Sequence, residues 1–172
     1  MKRIYVAIAV GMFFLLSAVS SYAQNAGPKI AYVDLTRVFD EYNKTKEYDA
    51  SLQTKSSGYE QERNARLEKI KDAQGKLAVM KEDEKKKLQA QIDKDRADLM
   101  EYDRQKQTDL RKERDERIRE ILAEIEKVVK DYAQQEKYTF VLNDKVLIYG
   151  DQTLDVTNQI IKLLNEKYPA KK

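Results

Sequence analysis

The side chains that most often perform catalysis or bind metals are missing from this sequence, which contains no histidine and no cysteine. Carboxylate pairs do occur, at Asp93/Asp95 and at Asp115/Glu116, and such pairs can transfer protons or hold a cation. Both pairs lie in a strongly charged stretch, where carboxylates of this kind are usually solvated. The Gly75-Lys76-Leu77 run lacks the further glycine and the Ser or Thr of a phosphate-binding loop. We therefore predict that the chain is not an enzyme and uses no metal, ATP or other cofactor.

A cluster of basic residues could instead carry a binding function. It consists of Lys81, Lys85, Lys86 and Lys87, and a cluster of this kind can contact an anionic membrane or lipopolysaccharide surface. The same residues can equally form the solvated start of a helix, which is the interpretation that we favour. The sequence alone leaves both interpretations open.

The first 23 residues have the pattern of a secretory signal peptide. Met1-Lys2-Arg3 is basic, residues 4–16 are predominantly apolar, and Ser21-Tyr22-Ala23 fits a small-x-small cleavage site. The apolar stretch is shorter than the about 20 residues that a membrane span requires, so we predict cleavage near Ala23 and export. Loss of Lys2 and Arg3 reduces the 33 basic residues to 31, almost balanced by the 30 acidic residues, which argues against a nucleic acid partner.

Residues 44–137 are charged at about every second position and contain no proline. Interleaved charges of both signs favour a solvated helix over disorder. Apolar residues recur at eleven-residue intervals and line one nearly straight stripe of that helix: Leu88, Leu99, Leu110, Ile121 and Tyr132. A single helix of this length would extend for about 140 Å, so we predict an antiparallel hairpin whose tip lies near residues 81–84.

Facing residues in such a hairpin have numbers that sum to about 165. This register brings five apolar pairs into contact: Leu77–Leu88, Ala73–Ile92, Leu67–Leu99, Tyr48–Ile118 and Val38–Val128. Asp83 is predicted to cap the second helix. The apolar face is dense over residues 118–132, but Leu110 is the only apolar residue between 103 and 117. We therefore predict a stiff base and a compliant middle for this arm.

Residues 24–43 and 138–172 flank the arm and predict a small β-rich body with short helices. Ile30–Val33 is a predicted strand, and Asp34 or Thr36 can cap the helix that follows it. The predicted fold class is therefore α+β, mostly α, with a long antiparallel helical hairpin projecting from a small body.

Two β-rich runs follow the arm, at residues 138–142 (YTFVL) and 146–149 (VLIY), separated by Asn143-Asp144-Lys145. Since Asn and Asp favour tight turns, we predict a β-hairpin, and its nearly continuous apolar character predicts burial on both faces. Asp155 is predicted to cap a final helix. Because a body of this size is marginal alone, we predict oligomerisation. The predicted oligomerisation residues are Ile30, Tyr32, Val33, Phe140, Val141, Leu142, Val146 and Ile148.

The arm has more apolar residues on either side of the tip than one thin seam requires. They can all pack between the two helices, or some of them can face a bound guest, and spacing does not decide between these alternatives. Met80 and Met100 have flexible side chains that suit adaptable contacts. The guest-contact candidates are Leu67, Ile70, Leu77, Met80, Leu88, Ile92, Leu99, Met100 and Tyr102.

The layout of the chain resembles the Skp/OmpH family of periplasmic chaperones. The motifs that carry the resemblance are Ile30-Ala31-Tyr32-Val33-Asp34, Arg37-Val38-Phe39, residues 138–142, Asp155-Val156-Thr157 and Leu163-Leu164-Asn165. The resemblance implies a homotrimer whose subunits pool their strands in one body and surround a cavity with three arms. It further implies ATP-independent binding of unfolded outer-membrane proteins in that cavity, which prevents their aggregation before membrane insertion. The alternative is a structural coiled-coil spacer or adaptor of the cell envelope.

Overall fold

Helices dominate the computed structural model, which describes residues 27–170. The predicted signal peptide, residues 1–23, lies outside the described part of the chain. In chain order the elements are strand β1 (Ile30–Val33), helix α1 (Leu35–Glu41), helix α2 (Asn43–Lys76), a 3₁₀ turn (Leu77–Val79), helix α3 (Glu82–Gln135), strand β2 (Phe140–Asn143), 3₁₀ turns at Asp144–Val146 and Gln152–Leu154, and helix α4 (Thr157–Lys167). The predicted α+β, mostly helical class is confirmed.

Strands β1 and β2 form a two-stranded parallel sheet. The register pairs Ile30 with Phe140 and Tyr32 with Leu142, which places these four side chains on one face. Ala31 points to the opposite face and is buried, so that face packs on the helices. Parallel strands require a long crossover connection, and here the whole helical arm is that connection.

The predicted β-hairpin after the arm is wrong, because residues 146–149 adopt the end of a 3₁₀ turn and irregular backbone. The side chain of Asn143 accepts a hydrogen bond from the Lys145 N–H at 3.2 Å, and the 3₁₀ turn follows at once. Such local side-chain bonds compete with strand pairing. The predicted burial of this run is also wrong within the chain, since Val146 is 71% exposed and Ile148 is fully exposed.

Helices α2 and α3 pack antiparallel as the two sides of the arm. Hydrogen bonds join Lys55 to Glu113 and Arg63 to Asp103 across the seam, and both pairs agree with the predicted sum of about 165. At about 1.5 Å per residue, the 34 residues of α2 span about 50 Å and the 54 residues of α3 about 80 Å. Helix α3 therefore continues past the start of α2 and packs against α1 and α4.

The arm turns at its tip through the 3₁₀ segment Leu77–Val79. Lys81 is the N-cap residue of α3, so the cap predicted at Asp83 is wrong. Asp83 lies instead in the first turn of the helix, together with Glu82 and Glu84. Acidic side chains are stabilising there because they face the positive end of the helix dipole.

Two aspartates support the short helices of the body. Asp34 caps α1 by accepting a hydrogen bond from the Arg37 N–H at 2.9 Å, which confirms one of the two predicted caps. Asp155 accepts from the Thr157 N–H at 2.8 Å, although Val156 is the N-cap residue of α4. The cap predicted at Asp155 is therefore wrong by one residue, although the Asp155 side chain still supports the start of α4.

Helix α3 ends in a turn that directs the chain back to β1. The Tyr138 N–H bonds to the Ala133 carbonyl at 2.9 Å, and the Lys137 N–H bonds to the Gln134 carbonyl at 3.3 Å. This is the hydrogen-bond pattern of a Schellman motif, which places the residue after the cap in the left-handed region. Lys137 occupies that position with a φ of 58°.

The main core lies where the base of the arm meets the body. Its buried residues come from β1, α1, α3, α4 and the segments beside them: Ala31, Val33, Val38, Tyr42, Ile121, Ile125, Val128, Val156, Ile160, Ile161 and Leu164. A second, smaller core lies between α2 and α3 toward the tip and contains Ile70, Ile92 and Leu99. Between the two cores, residues 46–69 and 100–120 are all at least partly exposed.

Candidate functional site

Charged side chains fix the base of the arm around Lys44, at the start of α2. Its Nζ donates hydrogen bonds to Glu120 at 2.7 Å and to Glu124 at 2.5 Å, both on α3. The Lys44 side chain is only 13% exposed. The Tyr42 hydroxyl donates to Glu124 at 2.9 Å and the Tyr48 hydroxyl to Glu120 at 3.3 Å. This Lys44 network therefore joins α2 to α3 where the arm leaves the body.

The contacts of the Lys44 network shift the pKa of three groups. Burial by itself lowers the pKa of Lys44, but the hydrogen bonds to Glu120 and Glu124 outweigh burial and raise it. Hydrogen bonds from Lys44 and then from Arg117 lower the pKa of Glu120. Burial, together with the hydrogen bond to Glu124, raises the pKa of Tyr42. Both shifts favour the charged forms of Lys44 and Glu120, so the two groups are ionised and paired near neutral pH.

Polar contacts replace apolar packing in the middle of the arm. The Tyr59 hydroxyl and the Arg63 Nε both donate to the carboxylate of Asp103, at 3.0 and 3.1 Å. The Tyr102 hydroxyl donates to Glu62 at 2.6 Å. Since these side chains remain partly exposed, each contact contributes little to stability.

Leu110 is the one apolar residue that α3 offers between residues 103 and 117. Two clefts, of about 550 and 270 Å³, are both lined by its side chain. The larger cleft also contains Gly58 of α2, where an added Cβ would meet nothing within 4 Å. The two helices are therefore loosely packed here, which is the physical basis of the predicted compliance.

The nine predicted guest-contact residues fall into two groups. Six of them form the apolar seam of the outer arm, buried or packed between α2 and α3: Ile70, Leu77, Leu88, Ile92, Leu99 and Tyr102. Of the other three, Leu67 is 38% exposed, Met100 is 74% exposed, and Met80 is half-buried in the tip turn. In this conformation Leu67 and Met100 offer the accessible apolar surface of the set.

The tip of the arm combines positive charge with an exposed apolar side chain. The four lysines predicted for an anionic surface, Lys81, Lys85, Lys86 and Lys87, are all exposed around the turn. Val79 lies beside them and is 87% exposed. Sequence reasoning missed Val79, because a single valine in a turn carries no periodic signal.

The face of the sheet that points away from the core is apolar and open. We call it the open sheet face, and it consists of Ile30, Tyr32, Phe140 and Leu142, which the strand register places together. Ile30 is 39% exposed, Phe140 is 55% exposed and Leu142 is 37% exposed. Four of the eight predicted oligomerisation residues therefore lie on one face of the sheet, and three of them are exposed there.

The remaining predicted oligomerisation residues are divided between the core and the surface. Val33 is buried in the main core and Val141 packs against it, whereas Val146 and Ile148 are exposed. Exposed apolar residues that sequence reasoning missed include Tyr149 and Leu154, at 84% and 42% exposure.

Gly150 explains how this segment lies so close to the open sheet face. A Cβ at Gly150 would come within 2.7 Å of the Tyr32 ring. Such a contact is shorter than van der Waals packing allows. Glycine at this position was the signal in the sequence that could have revealed the close approach.

Metal clusters and membrane-spanning helices are both absent from residues 27–170. Over residues 27–170, no group of three or more histidine, cysteine or acidic side chains is arranged to hold a metal ion. Over the same range, no helix has the length and apolar character needed to cross a bilayer. The arm, its tip and the open sheet face are the candidate binding surfaces.

A long two-helix arm rising from a small parallel sheet defines the class of this protein, and comparison with known proteins gives its family. The family model for outer membrane protein (OmpH-like) matches residues 29–164, so the chain belongs to the OmpH-like family. The chaperone protein Skp of Vibrio cholerae serotype O1 is 25% identical over 173 residues, covering 95% of this chain and 99% of that protein. The crystal structure of an OmpH-like protein from Caulobacter crescentus CB15 matches with a TM-score of 0.75 at 13% identity. That match covers 90% of this chain and 94% of the other, and it supports the fold.

Proposed function

We propose that the protein is an ATP-independent holdase of the periplasm, which binds unfolded outer-membrane proteins between the arms of a homotrimer. Its family membership supports a chaperone role, since a curated relative is a chaperone protein. Export through the signal peptide at residues 1–23 would place it beside such clients before they insert into the membrane. Binding would keep the clients from aggregating.

The open sheet face is the observation that carries this proposal. A two-stranded sheet is marginal alone and needs further strands or packing for stability, yet Ile30, Phe140 and Leu142 stay exposed in the single chain. Contiguous apolar surface of this kind marks an interaction site. Three copies that share their sheets would cover it and hold three arms around one cavity.

The arm has the properties that a holdase needs. Its charged exterior keeps the protein soluble, while Leu67, Met100 and the loosely packed middle offer weak apolar contacts. Several weak contacts on three arms can retain a chain without any strong individual site. A compliant arm could adjust the cavity to clients of different size.

Suppression of aggregation is the direct test of the holdase proposal. An outer-membrane β-barrel protein diluted from urea scatters light as it aggregates, and a near-stoichiometric amount of trimer should abolish that scattering. An unchanged scattering signal would contradict the holdase. A rigid arm whose small-angle scattering does not change on adding unfolded client would instead favour a structural spacer or adaptor of the cell envelope.

We also propose that the tip contacts anionic surfaces, either lipid or lipopolysaccharide. Clustered lysines near a membrane each contribute about 1 kcal/mol of attraction, and Lys85, Lys86 and Lys87 are exposed beside Val79. The triple variant Lys85/86/87→Glu should lose binding to vesicles that contain anionic lipid. Equal binding of the variant and the wild type would show that the lysines have no role in surface binding and only form the solvated start of α3.

A further inference from the structure

A cavity of about 220 Å³ lies at the base of the arm, where α1, α2 and α3 meet. Its apolar walls come from Phe39, Leu52, Ile118 and Ile121. The volume is below the roughly 300–1,000 Å³ of pockets that hold drug-sized ligands. This base cavity therefore suits one large side chain rather than a whole small molecule.

A buried hydroxyl group in the wall of the base cavity has no partner. Thr45 lines the cavity and is 2% exposed, and within the described residues its Oγ1 makes no hydrogen bond. A buried polar atom without a partner is costly, and native structures rarely keep one without a reason. A ligand with a hydroxyl group could supply the missing hydrogen bond.

The rim of the base cavity offers groups that match a peptide backbone. Asp49 and Arg114 both line the cavity. Beside the cavity, Lys55 bonds to Glu113 and Arg117 bonds to Tyr48 across the seam. Among the described residues, no hydrogen bond or salt bridge uses the side chain of Asp49 or of Arg114. A carboxylate accepts from a backbone N–H and a guanidinium donates to a backbone carbonyl.

We propose that the base cavity binds a tyrosine side chain of an unfolded polypeptide, an inference that rests on the proposed holdase function. The aromatic ring would pack on Phe39, Leu52 and Ile118, and the phenol hydroxyl would bond to the Thr45 Oγ1. The peptide groups beside the tyrosine would lie between Asp49 and Arg114. The cavity would thus hold one residue of a client at the entrance to the arm.

The test uses a blocked pentapeptide with a central tyrosine, with its phenylalanine and alanine analogues as matched probes. Titration followed by methyl NMR with labelled isoleucines separates the base cavity, through Ile118 and Ile121, from the outer seam, through Ile70 and Ile92. The tyrosine peptide should shift the first pair saturably and leave the second pair unchanged. Loss of one hydrogen bond should make the phenylalanine peptide bind about fivefold more weakly, and the alanine peptide should not bind.

Thr45→Val removes the hydroxyl but keeps a β-branched side chain in the wall. In this variant the preference for tyrosine should disappear: the tyrosine peptide should bind no more tightly than the phenylalanine peptide, because its buried hydroxyl has lost its partner. Without peptide, Thr45→Val should raise the urea midpoint, because an unpaired buried hydroxyl is removed. Thr54→Val is the matched control, since the Thr54 hydroxyl already bonds to the Ala50 carbonyl at an exposed position, and it should keep the preference for tyrosine.

Several outcomes would overturn the proposal without touching the holdase assay. Equal binding of the tyrosine and phenylalanine peptides to the wild type would remove the role of Thr45. Equal shifts at Ile70 and Ile92 would indicate general adhesion, and no shift at 20 mM peptide would indicate no site. If the Ile118 signal shifts with protein concentration in the absence of peptide, the occupant of the cavity is a second copy of the chain.

Discussion

Lys44 shows how a few charged side chains can hold a helical arm that has little apolar contact. Its ammonium group lies between two carboxylates of α3 and is largely shielded from water. An exposed ion pair contributes about 0–1 kcal/mol, whereas a shielded one leaves an unpaired charge when it is broken. The position of the arm relative to the body therefore depends on this residue more than on the surface ion pairs of the middle.

Lys44→Met should lower the free energy of unfolding by about 1–3 kcal/mol, because Glu120 and Glu124 lose their shared partner. Urea denaturation followed by circular dichroism measures the change. Lys55→Met is the matched control, since Lys55 also bonds a carboxylate of α3 at 2.5 Å but is 50% exposed. The control should change stability by less than about 0.5 kcal/mol. Equal losses in the two variants would show that burial of Lys44 is unimportant.

The pH dependence of stability should report on Glu120. The pKa of Glu120 in the folded chain is lower than its ordinary value of 4.5. The stabilisation is therefore complete above about pH 4.5 and is lost as the pH falls below it through the lowered folded-state value. Urea midpoints measured from pH 6 to pH 3 should fall, and Glu120→Gln should flatten that fall. The same slope in wild type and variant would exclude this carboxylate as the cause.

Caps show how far single residues could be predicted from the sequence. Asp34 was recognisable because an aspartate directly precedes a helical apolar pattern, and it caps α1. The cap at Asp83 was wrong because three acidic residues in a row suit the first turn of a helix as well as its cap. The Lys44 network was not predictable, since lysines and glutamates fill the whole arm and only the fold selects three of them.

At the scale of elements, the arm is two packed clusters joined by a poorly packed segment. The register of α2 against α3 was predictable because apolar pairs such as Leu77–Leu88 and Ala73–Ile92 match in one alignment, and the outer core contains them. The predicted β-hairpin was wrong because the Asn143 side chain accepts a hydrogen bond from the Lys145 N–H, and a 3₁₀ turn follows in place of the tight turn. Apolar composition alone did not distinguish a buried strand from an exposed, irregular segment.

Gly58→Ala should stiffen the middle of the arm. Alanine is favoured over glycine in a helix by about 0.5–1 kcal/mol, and a Cβ at Gly58 meets nothing within 4 Å. Hydrogen exchange should slow over residues 103–117 in the variant. Gly75→Ala, at a second position with open space, is the control and should leave the exchange of that segment unchanged. Wild-type exchange as slow in the middle as at the base would contradict a compliant arm.

In the single chain as a whole, the open sheet face stays exposed. Apolar residues cover that face, and the adjoining segment carries Ile148 and Tyr149 at high exposure. The small size of the body predicted an interface. The parallel pairing of β1 with β2, which places the residues of this face side by side, could not be predicted from local sequence patterns. Strands β1 and β2 pair although the entire arm separates them in the sequence. The residues near either strand do not indicate this pairing.

Phe140→Asp should break the assembly, because a carboxylate would be buried in an apolar interface. Native mass spectrometry should show monomers, while circular dichroism should still show the helical arm. Met100→Asp is the control, since Met100 is 74% exposed on the arm, and it should leave the mass of the assembly unchanged. An assembly that survives Phe140→Asp would move the interface away from the open sheet face.

The native mass of the particle, alone and with one unfolded outer-membrane β-barrel protein, decides whether the protein is a trimeric holdase. We expect three subunits in the free particle and three subunits with one client in the mixture. The client should remain unfolded in that complex and soluble. A monomer under both conditions, or a trimer that takes up no client, would contradict the trimeric holdase.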